Sequence, residues 1–489
     1  MWIYLSFFSK NLNIFLYLFI FFVTFLKPFV ILIMWWKGSN HKQTKTNKNK
    51  TKGDLIMSRE MNSNAIKLND VKAYVKSNVM LQVSQLAAPR LAIQGAPGCG
   101  KSDLMRQICE ENGWILSVKY LSNMSLEQIT GLPCKVENGS TAIWTKPELF
   151  NFSNPEYAPA NANDDTIKIL LIDDFHLADR IMQKYLFQLL TYKSLNGYSL
   201  SKNTAIILAG NRNIDKAGAN PIPAPVCNRM MFVEVKSEAE DWLKNFAMKH
   251  GVREDICTYI MNNSEGRLSS EPIETAAWAS PRSWTYLSYQ MDAYEKSNGK
   301  IDLEDLKIMA TGLIGAENAA KFIEYHELFA KWNFDKLFGM SLKNATVEFA
   351  KEIKRNPTDA YAIISSGVAW VIEKYKKANF NAKDADIVKS VDFLYDTMTF
   401  LLTYKEAAAR RNIRPLIAAG CKFLYMYQVA MEQNHGKTAT SLLSLIFNKM
   451  KQERDVDWLF YELIANVIDY KLDADDQKKI AKAKENLSF

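Results

Sequence analysis

No two of the six cysteines are spaced as a metal site or a disulfide framework: Cys99, Cys109, Cys134, Cys227, Cys257 and Cys421 are scattered, without a CxxC pair. That argues against a zinc ribbon or a stapled secreted scaffold and fits thiols kept reduced in a cytosol. Histidine is scarcer still, with five in 489 residues and none at metal-ligand spacing, so an imidazole-built metal centre is not expected. A basic body is also missing. The formal charge is +8, but residues 1–56 hold eight lysines against Asp54 alone, so the rest of the chain is nearly neutral. With no basic helix, zinc finger or RNA-binding signature either, nucleic acid is not the expected partner. What is present is an ordinary globular composition, 48% hydrophobic and 23% charged, long enough for two to four domains.

Residues 1–56 allow two readings. Ile14–Leu26 is apolar apart from Thr24, Lys27-Pro28 interrupts it, and Phe29–Trp36 resumes it before six lysines between Lys37 and Lys52. A single N-terminal anchor with its body in the cytoplasm follows from that pattern. The rival is a stretch that is not translated. Its residues are mostly those of AT-rich codons, and Lys52-Gly53-Asp54 is encodable by a purine-rich bacterial ribosome-binding site just before Met57. The expected location is the cytoplasm, or a membrane-anchored protein with its working part in the cytoplasm. A bacterial or phage source fits the same composition.

A short helical pattern around Asn69–Ser77 leads to the strongest signal, at 91–112. Leu91-Ala92-Ile93-Gln94 has strand length, Gly95-Ala96-Pro97-Gly98-Cys99-Gly100-Lys101-Ser102 follows, and Asp103–Glu111 has a helical pattern. Strand, glycine loop and helix form the context a P-loop requires. Glycines let backbone N–H groups approach phosphate oxygens, and the helix start adds its positive end. ATP and Mg2+ are therefore the expected cofactors. Gly95–Ser102 would hold the nucleotide, Lys101 would neutralise the β- and γ-phosphates, and the Ser102 hydroxyl would ligate Mg2+.

Ile169-Leu170-Leu171-Ile172 reads as a strand buried on both faces, and Asp173-Asp174 at its end sits where ligands bind in open α/β sheets. Asp173 would hold Mg2+ through water, and Asp174 would polarise the attacking water. Thr204–Ala209 is a third such run, ending in Gly210-Asn211, whose amide could orient that water. The plainer reading of Asn211 is ordinary turn chemistry at a strand end. Val226-Cys227-Asn228-Arg229 precedes another strand-like run, Met230–Val235, and Ser280-Pro281-Arg282-Ser283-Trp284 comes later. The plainer alternatives are that Arg229 caps its strand or pairs with a surface acid, and that Arg282 faces solvent at a helix start. Asn163-Asp164-Asp165 reads as a solvated loop rather than a metal site.

These residues together resemble the MoxR-like branch of the AAA+ ATPases. The resemblance covers about two fifths of the chain, from Leu91 to Trp284. It rests on GAPGCGKS, Ile129-Thr130-Gly131-Leu132-Pro133, ILLIDDF, the helical stretch after it, AGN at 209–211, the CNRM stretch and SPRSW. It implies that Asn211 matches the first sensor and Arg282 the second, and that Arg229 is an arginine finger reaching a neighbouring subunit's ATP. It further implies a hexameric ring that remodels or chaperones a protein client, often beside a von Willebrand A-domain partner. One residue departs from the pattern: Asp174 stands where glutamate is usual. A side chain one methylene shorter displaces the catalytic carboxylate, and ~1 Å of misplacement can cost ~10²-fold.

The expected fold is an α/β P-loop NTPase (AAA+) core with a parallel sheet, an all-α lid and an α-helical C-terminal extension. Boundaries are expected at 1–56 for the hydrophobic then Lys-rich leader, 57–236 for the nucleotide-binding domain, 237–330 for the lid and 331–489 for the extension. The lid text breaks at Asn262–Gly266 and at Ser297-Asn298-Gly299. Helices are expected at Thr346–Lys354, Asp359–Lys377, Asp384–Arg411, Ile413–Gln433, Ser441–Lys451 and Asp455–Tyr470, with residues 471–485 a solvated terminal helix. Their apolar residues, such as Phe393, Leu394, Met398, Leu401 and Leu402, recur at three- and four-residue steps, as core packing demands. Two alternatives to an ATP-driven protein remodeller remain: a nucleic-acid motor or loader, and a membrane-tethered nucleotide switch that barely hydrolyses.

Overall fold

The structure, a computed structural model, describes residues 65–85, 87–135, 142–212, 215, 220–261, 267–271, 276–355, 359–404 and 413–435, with scattered positions from 442 onward. Residues 1–56 and the turn at 262–266 lie outside the described residues. So, almost entirely, do the stretches expected as helices at 441–451, 455–470 and 471–485.

Six parallel strands form one sheet: β1 (Ile66–Lys67), β2 (Arg90–Gly95), β3 (Ile115–Tyr120), β4 (Lys168–Asp173), β5 (Thr204–Gly210) and β6 (Met230–Lys236). Their order across the sheet is β1-β6-β2-β5-β4-β3. β2, which leads into the glycine loop, is therefore central. Gln94 pairs with Gly210, and Val235 with Gly95, so three strands end along one edge. That edge is where an open α/β sheet binds ligands.

The aliphatic runs work as two-faced strands. Leu91, Ile93, Ile169, Leu171, Ala205 and Ile207 pack on one side with helices α1 (Val71–Ser84) and α2 (Lys101–Asn112). Ala92, Leu170, Ile172, Ile206 and Leu208 pack on the other with α3 (Arg180–Tyr192). Period-two alternation splits each run between two cores, which is why no polar residue interrupts it. Each leucine or isoleucine among them, taken fully out of water, contributes about 1.5–3 kcal/mol.

α1 extends beyond the helix expected near 69–77, because two of its inward residues are polar. Asn78 and Gln82 are both buried. Gln82 donates to the Asn78 side chain (2.7 Å) and to the Ile206 carbonyl (2.8 Å), and accepts from the Ile206 N–H (2.9 Å). Hydrogen bonding replaces apolar contact there, so the helical pattern fades from the sequence while the helix continues.

Beyond β6 the described chain is helical. α4 (Pro281–Asn298), α5 (Leu303–Ile314), α6 (Ala316–Lys331), α7 (Leu342–Arg355), α8 (Asp359–Lys377), α9 (Ala385–Thr403) and α10 (Ile413–His435) are its longer members. One hydrophobic core runs through them, from Ala239 past Trp284, Phe322, Phe349 and Leu394 to Leu424. The fold is thus the expected one: a P-loop α/β core with a parallel sheet, followed by helices. No helix among the described residues is long and apolar enough to cross a membrane.

Gly131 anchors a small hairpin, Pro133–Lys135 against Ala142–Trp144. Leu132 exchanges hydrogen bonds with Thr145, each 2.8 Å. Gly131 has φ 81°, and a Cβ there would lie 2.0 Å from the Thr145 carbonyl oxygen. Gly131→Ala should therefore destabilise the protein by about 1–3 kcal/mol, read as a lower urea midpoint at unchanged m-value.

Candidate nucleotide site

β2 delivers the chain into Gly95–Gly100, and α2 begins at Lys101. Gly98 (φ 76°) and Gly100 (φ 99°) lie in the left-handed region that favours glycine, so the loop can fold back over the helix start. The Lys101 ammonium is buried, and it donates to the Gly95 carbonyl (3.0 Å), the Ala96 carbonyl (3.1 Å) and the Asn211 side-chain oxygen (3.0 Å). All three oxygens are neutral. A buried cation held this way keeps its charge available for an anion, which a phosphate supplies.

The Ser102 hydroxyl donates to the Asp173 carboxylate. Two hard oxygen ligands in contact, beside a phosphate-binding loop, fit Mg2+, which takes one or two protein oxygens and completes its shell with water and phosphate. Among the described residues there is no cluster of three or more histidine, cysteine or acidic side chains that could hold a metal by itself.

Asp174 stands at φ 48°, a left-handed conformation uncommon for a non-glycine residue, and its N–H donates to its neighbour Asp173 at 2.9 Å. That turn takes the backbone off the strand end. Burial, and then the charge of Asp173, push its carboxyl above the usual aspartate range. The sequence carried no sign of this conformation.

Asn211, at the end of β5, meets Lys101 and so joins the site. Its N–H donates to His176 Nδ1 at 3.3 Å. His176 is fully inside the protein, two residues after Asp174, and was not singled out by any motif. Gly210 makes room for it: a Cβ there would lie 2.7 Å from His176 Nδ1.

The helical region touches the loop directly. Ser280 caps α4 by accepting from the Ser283 N–H, and the Arg282 N–H donates to the Gly98 carbonyl at 3.3 Å. A Cβ on Gly98 would lie 2.9 Å from Ser280 Oγ. Arg282 therefore starts the helix that abuts the P-loop, its side chain exposed. Its charge is close enough to oppose the upward push on Asp174.

Arg229 is elsewhere. Its neighbour Met230 pairs with Arg90 at the start of β2, whereas Val235 pairs with Gly95 at the loop. Five strand steps, about 16 Å, separate the two levels. The guanidinium donates to Thr191 Oγ1 (2.5 Å) and to the Pro225 carbonyl (2.6 Å), and lies over the Phe187 ring at 3.8 Å. The guanidinium is thus engaged with Thr191, Pro225 and Phe187 rather than with the glycine loop of its own chain.

A cavity of about 380 Å³ opens behind Gly98–Gly100. Asn69, Trp242, Phe246, Tyr286 and Arg282 line it, from segments far apart in the chain. Its size falls in the range of small-molecule pockets, and its walls mix aromatic side chains with many polar and charged ones, Asp103, Glu110, Glu238 and Asp241 among them. Asn163–Asp165, by contrast, is an exposed loop with no part in the site.

No protein-family model matches the chain, and no curated protein does. Among solved structures, a point mutant of RuvB from Thermotoga maritima is 12% identical, covering 52% of this chain and 68% of that one at a TM-score of 0.30. A second RuvB mutant from the same organism is 13% identical, with 57% and 82% covered and a TM-score of 0.28. A Cytophaga hutchinsonii protein assigned as an ATPase is 13% identical, with 53% and 90% covered and a TM-score of 0.22. Similarity this low carries no argument about function, which rests on the residues themselves.

Because Asp174 has a raised pKa, its ionised form opposes folding at high pH, and the penalty fades as pH falls into the ordinary carboxylate range. Asp174→Asn should accordingly melt above wild type at pH 8 in chelator. That advantage should shrink as pH approaches about 4, as scanning calorimetry across pH would show.

Proposed function

We propose that this chain is an AAA+ ATPase, MoxR-like in kind, that hydrolyses ATP to ADP and phosphate and works as a ring to remodel a protein client. The observation that carries the reading is the convergence of Lys101, Ser102, Asp173, Asp174 and Asn211 at one sheet edge, with the start of the Arg282 helix against Gly98. A nucleoside in the cavity behind the loop would place its phosphates over Gly98–Lys101.

In this reading Lys101 leaves its neutral partners for the β- and γ-phosphates. Ser102 and Asp173 hold Mg2+, which when bound neutralises phosphate charge. Asp174 accepts the proton of a water as its oxygen bonds to the γ-phosphorus and the bond to the bridging oxygen breaks, releasing ADP. A raised pKa makes the ionised carboxylate a better proton acceptor, which offsets part of the disadvantage of its shorter side chain. Asn211 orients the water, and Arg282 meets the γ-phosphate from the helical side.

Ring assembly is supported by Arg229. It sits at the opposite end of the sheet from its own P-loop, near the exposed face of α3 with Ile181 and Tyr192. An arginine supplied from a neighbouring subunit is worth ~10³–10⁵ in rate in other phosphoryl-transfer systems. A client, a von Willebrand A-domain partner and a cytoplasmic setting are parts of the same proposal.

Shared sites have a sharp consequence. Lys101→Ala and Arg229→Ala should each reduce hydrolysis ~10²-fold or more when pure. Mixed, they should regain activity, since a Lys101→Ala subunit lends its arginine to an intact P-loop. Specific activity of the wild type should also climb with protein concentration. Flat specific activity together with no gain on mixing would overturn the ring.

A further inference from the structure

We infer that His176 is a positioning residue, which fixes Asn211 through the hydrogen bond from the Asn211 N–H to its Nδ1. The inference rests on the proposed ATPase reading, in which Asn211 orients the water.

Three features place His176. Its ring Nδ1 accepts from the Asn211 N–H, its backbone carbonyl accepts from the Asn220 N–H at 2.8 Å, and the bare Cα of Gly210 leaves the space the ring occupies. Asn211 in turn gives its side-chain oxygen to Lys101. The chain of contacts thus runs from the turn after Asp174, through His176 and Asn211, to the P-loop lysine. It joins the ends of β4 and β5, the two strands that present Asp174 and Asn211.

The other ring nitrogen shows that packing alone does not call for histidine. Nε2 is buried and has no hydrogen-bond partner among the described residues. With Nδ1 accepting, a neutral ring carries its proton on Nε2, and burial favours the neutral form by lowering the pKa. A buried N–H without a partner costs about 1–3 kcal/mol. An apolar side chain of similar volume would avoid that cost, so what the position requires is the acceptor at Nδ1. Without it the Asn211 N–H loses its partner and the strand end is free to shift, carrying the amide away from Lys101. A displacement of ~1 Å at a catalytic group can cost ~10²-fold in rate.

Two polar substitutions separate the nitrogens. Asparagine can put its side-chain oxygen where Nδ1 lies, whereas glutamine reaches the position of Nε2. The experiment compares ATP hydrolysis and melting temperature for His176→Asn, His176→Gln and His176→Leu, with Asn211→Ala beside them. We expect His176→Gln and His176→Leu to lose about tenfold or more in kcat, with KM for ATP within about twofold of wild type. His176→Asn should recover most of the rate, and none of the three should melt far below wild type. Wild-type kcat in His176→Leu, alongside an impaired Asn211→Ala, would overturn this inference and leave the ATPase reading intact. Equal loss in all three His176 variants with lowered melting would overturn it too, making the role structural. A fully active Asn211→Ala would overturn the assignment of Asn211 itself, and this inference with it.

Discussion

A buried ammonium that hydrogen-bonds only neutral oxygens governs the sheet edge that carries the glycine loop. Lys101 is tied to its own loop through Gly95 and Ala96, and to a neighbouring strand through Asn211. Each tie is a hydrogen bond from a charged donor, which is stronger than one between neutral groups, yet none neutralises the charge. The loop, the strand end and the helix start are thereby held in register around a cation that an anion can still claim. Much of the fold serves that arrangement: the parallel sheet brings three strand ends to one edge, and the cores on its two faces keep those ends from moving independently.

The second constraint is the contact between the two architectural parts. The N-terminus of α4 lies against Gly98, close enough that a Cβ on that glycine would crowd Ser280. The cavity behind the loop is bounded by both parts, by Asn69 ahead of the sheet and by Trp242 and Tyr286 after it. A ligand in that cavity would touch the sheet and the helices at once. Binding energy would then be shared between them, which is how nucleotide state could bias the position of a helical region. The continuous core from Ala239 to Leu424 would transmit such a bias as a body rather than as a local adjustment.

Much of this was legible in the sequence, for identifiable reasons. The run Ile169–Ile172 could only be a strand buried on both sides, and Asp359–Lys377 matches its helix to the residue. Gly95–Ser102 needed no more than its flanking strand and helix. What stayed hidden depended on three-dimensional neighbours. Gln82 looks like a surface residue until it is seen bonded to Ile206, so α1 reads shorter than it is. The left-handed turn at Asp174 has no signature in its letters. His176 is one histidine among five until the strand end beside it is known. The cavity draws its walls from residues some 170 to 220 positions apart, which no local pattern could assemble. The guanidinium of Arg229 was readable as a motif, whereas its place at the far end of the sheet came only with the strand register.

The measurement closest to the centre of this account is the affinity for ATP with Mg2+, titrated by calorimetry on the wild type and on Lys101→Ala. If the buried ammonium is the anchor for phosphate, the wild type binds one ATP per chain and the variant binds at least about tenfold more weakly, the loss expected for a hydrogen bond to a charged group. Equal affinities, or no binding by the wild type, would mean that this loop does not hold a nucleotide and that the account built on it is wrong.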